Sequence, residues 1–370
     1  MEINVITRHA PANYGSLLQA IATQKVLSKV GATNKIIDYI PKEETGIRVA
    51  FTQLKGKKSW NRNPLKKIIY IMGREPENLI MYHKFEKMRK KYLKMTKRFT
   101  NLTELTEFAS KTDAVFMTGS DQVWGPVSTG TYDPAYFLQF VQDNKKKIAF
   151  ASSFGKASFS EEDMIEYKKM LSRYAGIAVR ENSAVELLAD LKIKALQVLD
   201  PTLLINADEW EQYISDEDII KGEYVLVYQI HSNPQLDKYA MQFAEKIGLK
   251  LIRVSPLMHQ IKRGGEFIYL PDIGKFLSLI KNARYMVTDS FHGTAFAINF
   301  NTQFVEVLPN TGTGSRNQSI LKLMGLEDRI VKDLGDFSFI DKSINYTYVN
   351  QILNLERSNS MEVLLQILEA

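Results

Sequence analysis

Short apolar runs that end abruptly in small or polar residues, each followed by a helical pattern, recur along most of the chain. "INVITR" gives way to "NYGSLLQAIATQKVLSKVG". There Leu17, Leu18, Ile21, Val26 and Leu27 share one helical face, and Gly31 stands where the helix should stop. "KIIDYI", "DAVFMTGSDQVW", "KKIAFASSFG", "AGIAVREN" and "ALQVLDPTLL" come next as strand-like runs, with "SAVELLADL" as a helix among them. After the polar stretch "SDEDIIKGE" the alternation restarts with "YVLVYQI", "KLIRVS", "RYMVTDS" and "QFVEVL", separated by helical segments. Strands alternating with helices need crossover connections, so the expected class is α/β with parallel sheets.

The restart, in a chain of 370 residues, predicts two domains rather than one. We place the linker at about 214–222, an N-terminal domain at 1–218 and a C-terminal domain at 219–345. A helical tail takes up 346–370. The runs "DAVFMTGSDQVW" and "NARYMVTDSFHG" echo each other: each passes through a short strand into a Ser/Asp cluster. Ligands of open α/β sheets bind at the carboxyl ends of the strands. Two such halves facing each other would bring both clusters to one cleft.

Charge is distributed unevenly. Between Lys55 and Arg98 there are 15 Lys/Arg and 3 Glu, a net +12, while the chain as a whole carries +6. This segment reads as a basic helical insertion at about 53–100. It is either a solvated face or a contact for anionic lipid, as at an inner membrane, or for an acidic acceptor. It has no nucleic-acid fold signature, and no nucleic-acid partner is expected. The absence of cysteine excludes disulfides, thiolate zinc sites and a cysteine nucleophile, and fits a reducing compartment. With no signal-peptide pattern at the N-terminus and no apolar run near ~18 residues, the expected location is cytoplasmic.

The stretch "VTDSFHGTAFAIN" joins a strand to a helix through a polar turn. The first N–H groups of a helix attract anions. Here Ser290 would add a hydroxyl, Gly293 would let a ligand approach the backbone, and His292 can donate to an anion or act as a general acid. Asp289 reads as the N-cap. "NTGTGSRNQS" adds a Gly-rich loop with Arg316, suited to a phosphate or carboxylate but matching no dinucleotide or P-loop fingerprint. In "NYGSLLQA", Asn13 either caps a helix or, with Gly15, binds a ligand. In "TGSDQVW", Asp121 is either a base or the centre of an Asx-turn. "VREN" offers an internal pair, Arg180 with Glu181. No His, Asp or Glu spacing suits a metal, so none is expected.

Taken together, "NYGSLLQA", "GSDQVWGP", "AFASSFG", "VREN", "LDPTLL" and above all "TDSFHGTAFAI" resemble the bacterial polysaccharide pyruvyl transferase family, over residues 8 to about 325. The resemblance implies a GT-B-like architecture of two Rossmann-like domains facing a cleft. It implies transfer of pyruvyl from phosphoenolpyruvate to two hydroxyls of one sugar, making a cyclic ketal in cell-surface polysaccharide synthesis. Phosphoenolpyruvate is then a co-substrate, no cofactor is needed, and the sugar acceptor is free, nucleotide-linked or lipid-linked. His292 falls on the family's histidine and is expected as general acid, with Asp121 as base. Ser290, Phe291, Gly293, Thr294, Arg316 and Arg263 are expected at the donor, with Lys262 as another cation. Asn13, Tyr14, Gly15, Ser120 and Gln122 are expected at the acceptor. In some members an arginine stands two positions before that histidine; here the position is Ser290. The alternatives are a nucleotide-sugar glycosyltransferase of the same pathway and a non-catalytic member that binds glycan precursors.

Overall fold

The computed structural model describes residues 1–46, 48–55, 63–127, 132–155, 159–309 and 314–370. Among these residues the chain forms two compact units, each built on a parallel sheet. The first unit comprises Met1–Pro201 with Val363–Ala370, the second Thr202–Glu362.

In the first unit the strands are β1 (Glu2–Ile6), β2 (Thr33–Tyr39), β3 (Met95–Phe99), β4 (Val115–Thr118), β5 (Lys147–Ser152), β6 (Gly176–Val179) and β7 (Leu196–Gln197). Their order is β3-β2-β1-β4-β5-β6-β7. The chain therefore works outward from β1 to β3, then returns to lay β4 on the other side of β1. This is the topological switch at which α/β sheets bind ligands. The central strands are apolar because both faces are covered: every residue of β5 is buried. The core joins Phe116, Trp124, Phe137, Phe154 and Tyr167. The helix Tyr14–Lys29 that follows β1 is buried on nearly all sides, not on one face alone. It ends as read from the sequence, beside Gly31 at φ +76°.

In the second unit the strands are β8 (Tyr224–Tyr228), β9 (Lys250–Ser255), β10 (Glu266–Tyr269), β11 (Tyr285–Thr288) and β12 (Phe304–Glu306). Their order is β10-β9-β8-β11-β12, with the switch between β8 and β11. Val225, Val227, Tyr239, Phe243, Tyr285, Val287 and Val305 form its core.

The units divide at Pro201, earlier than the linker read from the sequence. The segment just after Pro201 belongs to the second unit because Trp210 is fully buried against Phe296, ring centroids 5.2 Å apart, and Asn299 donates to the carbonyls of Thr202 and Ile205. The tail is one helix, Tyr346–Glu369. Its last turn returns to the first unit, where Ile367 lies against Gly176 so closely that a Cβ there would sit 3.0 Å from it.

Candidate functional site

At the switch of the second unit, Thr288 closes β11 by donating its hydroxyl to the Tyr228 carbonyl at the end of β8 (2.7 Å). Thr288 Oγ1 also accepts from the Ser290 N–H (3.0 Å), which turns the chain into the helix Phe291–Asn299. The cap of that helix is Ser290, whose Oγ accepts from the Gly293 N–H at 3.2 Å, and not Asp289 as the sequence suggested. Asp289 is buried and reaches across the switch. Its carboxylate accepts from the N–H of Ile230 (2.8 Å), the N–H of His231 (3.0 Å) and Nδ1 of His231 (3.2 Å). His231 thus stands at the carboxyl end of β8 with its ring anchored by a buried carboxylate and about a quarter of its side chain exposed.

The expected anion clamp at this helix is altered in two respects. The N–H of Gly293 is taken by Ser290 Oγ and that of Thr294 by the Ser290 carbonyl (2.9 Å), so neither is left for a ligand. Gly293 serves packing rather than ligand approach: a Cβ there would lie 2.6 Å from Thr288 Oγ1, 2.9 Å from Met286 Cε and 3.1 Å from Tyr228 Cδ1. His292 and Phe291 are both buried, with their rings edge-to-face at 5.2 Å.

Two further groups converge on this end of the sheet. Thr294 Oγ1 is hydrogen-bonded to the Ser290 carbonyl (3.1 Å) and to the carboxyl of Glu306 at the end of β12. The other oxygen of Glu306 accepts from Asn317 Nδ2 (2.5 Å), beside Arg316 in the first turn of the helix Ser315–Leu323. Burial pushes the Glu306 carboxyl up to about 8. The hydrogen bonds from Thr294 and Asn317 oppose that shift, and the charge of Asp289 adds to it. Arg316 is buried; residues 310–313 of the Gly-rich loop before it lie outside the described residues. On the other flank, Arg263 donates to Gln229 Oε1 (3.0 Å), two residues before His231, and lies 3.9 Å from Asp237. The fully buried Arg253 donates to the same Gln229 oxygen (2.9 Å) and pairs with Asp237 (2.9 Å). Lys262, beside Arg263, is exposed.

The switch of the first unit holds a second cluster. Asp121 sits at φ +75°, an uncommon conformation for a residue with a Cβ. Its carboxylate accepts from Ser16 Oγ (2.7 Å) and the Gln122 N–H (2.8 Å), with Arg180 at 3.6 Å. The closest partner of Arg180 is Asp200 (2.8 Å), which also accepts from Ser120 Oγ (2.7 Å); Glu181 stands farther off, at 3.6 Å. Asn13 caps the helix Tyr14–Lys29, accepting from the Ser16 N–H. Tyr14 is enclosed against Phe85, ring centroids 5.2 Å apart, and Gly15 and Ser120 are buried, so these three expected acceptor residues present no surface. Gln122 is half-buried over Gly155. Asp121 and His292 belong to different units. Among the described residues no His, Cys, Asp or Glu group is arranged to hold a metal.

His231, Glu306 and Arg253 escape the sequence reading. Each lies in or just after a strand, and their partners lie 58, 11 and 16 to 24 positions away. The one available signal is position, at or near the carboxyl end of a strand.

A family model described as polysaccharide pyruvyl transferase matches residues 13–311. No curated protein sequence matches the chain. Solved structures similar over the whole chain include UDP-GlcNAc 2-epimerase from Neisseria meningitidis bound to UDP-GlcNAc. It is 10% identical, with 100% of this chain and 99% of that one covered and a TM-score of 0.55. The UDP-GlcNAc 2-epimerase from Methanocaldococcus jannaschii is 13% identical, with 96% and 99% covered and a TM-score of 0.54. UGT89C1 from Arabidopsis thaliana is 10% identical, with 99% of each chain covered and a TM-score of 0.50. At these identities the likeness establishes the fold, two Rossmann-like units of the GT-B type.

Proposed function

The chain belongs to the polysaccharide pyruvyl transferase family, and on that premise we propose that it moves the pyruvyl group of phosphoenolpyruvate onto two hydroxyls of a sugar in cell-surface polysaccharide synthesis. The observation that carries this reading is the switch of the second unit. A carboxylate-anchored histidine, His231, closes one side of it, and His292 follows two residues after the capping Ser290 on the other.

The chemistry needs a proton for C3, a base for a hydroxyl, and cations for phosphate and carboxylate. In this reading His292 protonates C3, and C2 becomes cationic. One sugar hydroxyl attacks C2, forming a C–O bond and giving its proton to the base. The bond between C2 and the phosphate oxygen then breaks, and the second hydroxyl closes the ketal and loses its proton. One of the two hydroxyl protons replaces the one given to C3; the other leaves with phosphate. We assign the base to His231, because Asp289 accepts from Nδ1 and so leaves Nε2 as the acceptor in the neutral ring. Asp121 is the weaker candidate, since both of its oxygens already accept from Ser16 and Gln122. Arg316 and Arg263 supply the positive charge that Ser290 does not.

The test is incubation with phosphoenolpyruvate and a panel of free, nucleotide-linked and lipid-linked sugars. Release of inorganic phosphate with gain of a pyruvyl unit by the sugar supports the reading. Sugar transfer from a nucleotide donor without phosphoenolpyruvate turnover overturns it in favour of a glycosyltransferase. Binding of glycan precursors without turnover of either donor indicates a non-catalytic member.

A further inference from the structure

The helix Pro64–Tyr92 in the first unit is apolar on two opposite faces. One face is packed: Tyr70, Met81, Phe85 and Met88 are buried, and Arg89 donates to the Ala10 carbonyl (2.8 Å) while pairing with Glu86 (2.6 Å). The other face is open. Leu65, Ile68, Ile69 and Met72, spaced i, i+3, i+4, i+7, are 67%, 55%, 55% and 71% exposed, and Leu79 and Ile80 extend them past Pro76. At about 100° per residue these six side chains fall within about 120° of arc, opposite the buried face. Such a stripe on a helix already fastened to its own unit has no role in the core.

Charge identifies what covers it. Exposed Lys87 and Lys90 continue the same outward face, and by helical position Lys66, Lys84 and Lys91 border it on one flank, with Glu75 on the other. The three carboxylates of the surrounding +12 segment are Glu75, Glu77 and Glu86. Of these, Glu77 is engaged by Arg74, and Glu86 by Arg89, Lys90 and Arg98. An apolar stripe edged on one flank and extended by lysines, in a segment of net +12, matches an anionic bilayer, whose acyl boundary takes Leu, Ile and Met and whose headgroups take the lysines. A second copy of the chain would bring the same positive charge against itself. We propose that this helix is a peripheral docking surface for anionic membrane, lying in the interface with the Leu65–Ile80 stripe inserted. The helix does not span: among the described residues no helix is long and apolar enough to cross a membrane.

The test is flotation of the purified full chain with phosphatidylcholine vesicles, with and without phosphatidylglycerol, at low salt. Three forms are compared: wild type; Leu65→Ser with Ile68→Ser and Met72→Ser; and Lys87→Gln with Lys90→Gln. All these sites are exposed, and equal thermal melting confirms that the fold is kept. We expect wild type to float only with the anionic vesicles and each variant to bind at least tenfold more weakly. Three results would overturn the proposal: wild type that stays unbound at low salt, a serine variant that binds like wild type, or a concentration-dependent dimer that the serine variant abolishes. Because the readout is binding to lipid, it is independent of the reaction proposed above.

Discussion

Asp289 accepts from both Nδ1 and the backbone N–H of His231, at 3.2 and 3.0 Å, so one buried carboxylate fixes the ring and the loop that carries it. If His231 removes the hydroxyl proton, His231→Ala lowers kcat by about 10²–10⁴. Added imidazole should restore part of the rate, while the melting temperature stays near that of wild type. A variant with a normal rate would remove His231 from the reaction. Asp289→Asn should lose both activity and stability, because one carbonyl oxygen replaces two acceptors for three N–H donors.

Glu306 gives a pH signature. Its folded carboxyl titrates at about 8, against 4.5 for the ordinary group. Between those values the folded state binds more protons than the unfolded state, so stability falls as pH rises through this window. The hydrogen bonds agree with a neutral carboxyl. Thr294 has one hydroxyl hydrogen for two partners, Ser290 O and Glu306, and a protonated Glu306 supplies the second. Glu306→Gln should therefore gain on wild type in thermal melts as pH is raised from about 5 to about 8. Each pKa unit abolished is worth about 1.4 kcal/mol. A constant difference across that range would contradict the assignment.

Gly293→Ala opposes two effects. Alanine in a helix interior gains about 1 kcal/mol over glycine. Here its Cβ would press into Thr288, Met286 and Tyr228, and overpacking of this kind costs about 1–3 kcal/mol. The clash should win, and denaturant unfolding should show a net loss of up to about 2 kcal/mol without any ligand present. A stabilised variant would return Gly293 to the role of admitting a ligand.

Arg180 lies fully buried among Asp200, Asp121 and Glu181. Burial works against its charge, but the three carboxylates win and hold the guanidinium above its usual range. Arg180→Met leaves those carboxylates without their cation and should cost about 3–5 kcal/mol in urea unfolding. Asp200→Asn keeps a hydrogen-bond acceptor for Arg180 and Ser120 and should cost less. Equal losses in the two variants would deny the cluster its electrostatic character.

The central strands were legible because strands buried on both faces are apolar runs, and the alternation with helices implied parallel sheets. The strands that escaped, Met95–Phe99 and Glu266–Tyr269, are sheet edges. Such strands are half-covered, and the first carries Lys97 and Arg98 within a basic stretch, as edges that resist further pairing do. The boundary was misplaced because the polar stretch after residue 214 is a loop inside the second unit, while the true division falls in the apolar "LDPTLL". The strand–turn–helix setting of His292 was legible, with a strand ending at Thr288 and a helix beginning at Phe291. The cap expected of Asp289 falls to Ser290, because either can cap a helix and only the carboxylate reaches across to His231. Tyr14, expected at the acceptor, opens a helix that is buried on nearly all sides.

Calorimetric titration of phosphoenolpyruvate into wild type and His292→Ala, with UDP-GlcNAc run in parallel, tests the pyruvyl donor most directly. Phosphoenolpyruvate should bind wild type, and the variant should bind it at least tenfold more weakly, whether or not UDP-GlcNAc binds as well. Binding of UDP-GlcNAc by a well-folded protein that ignores phosphoenolpyruvate would contradict that expectation.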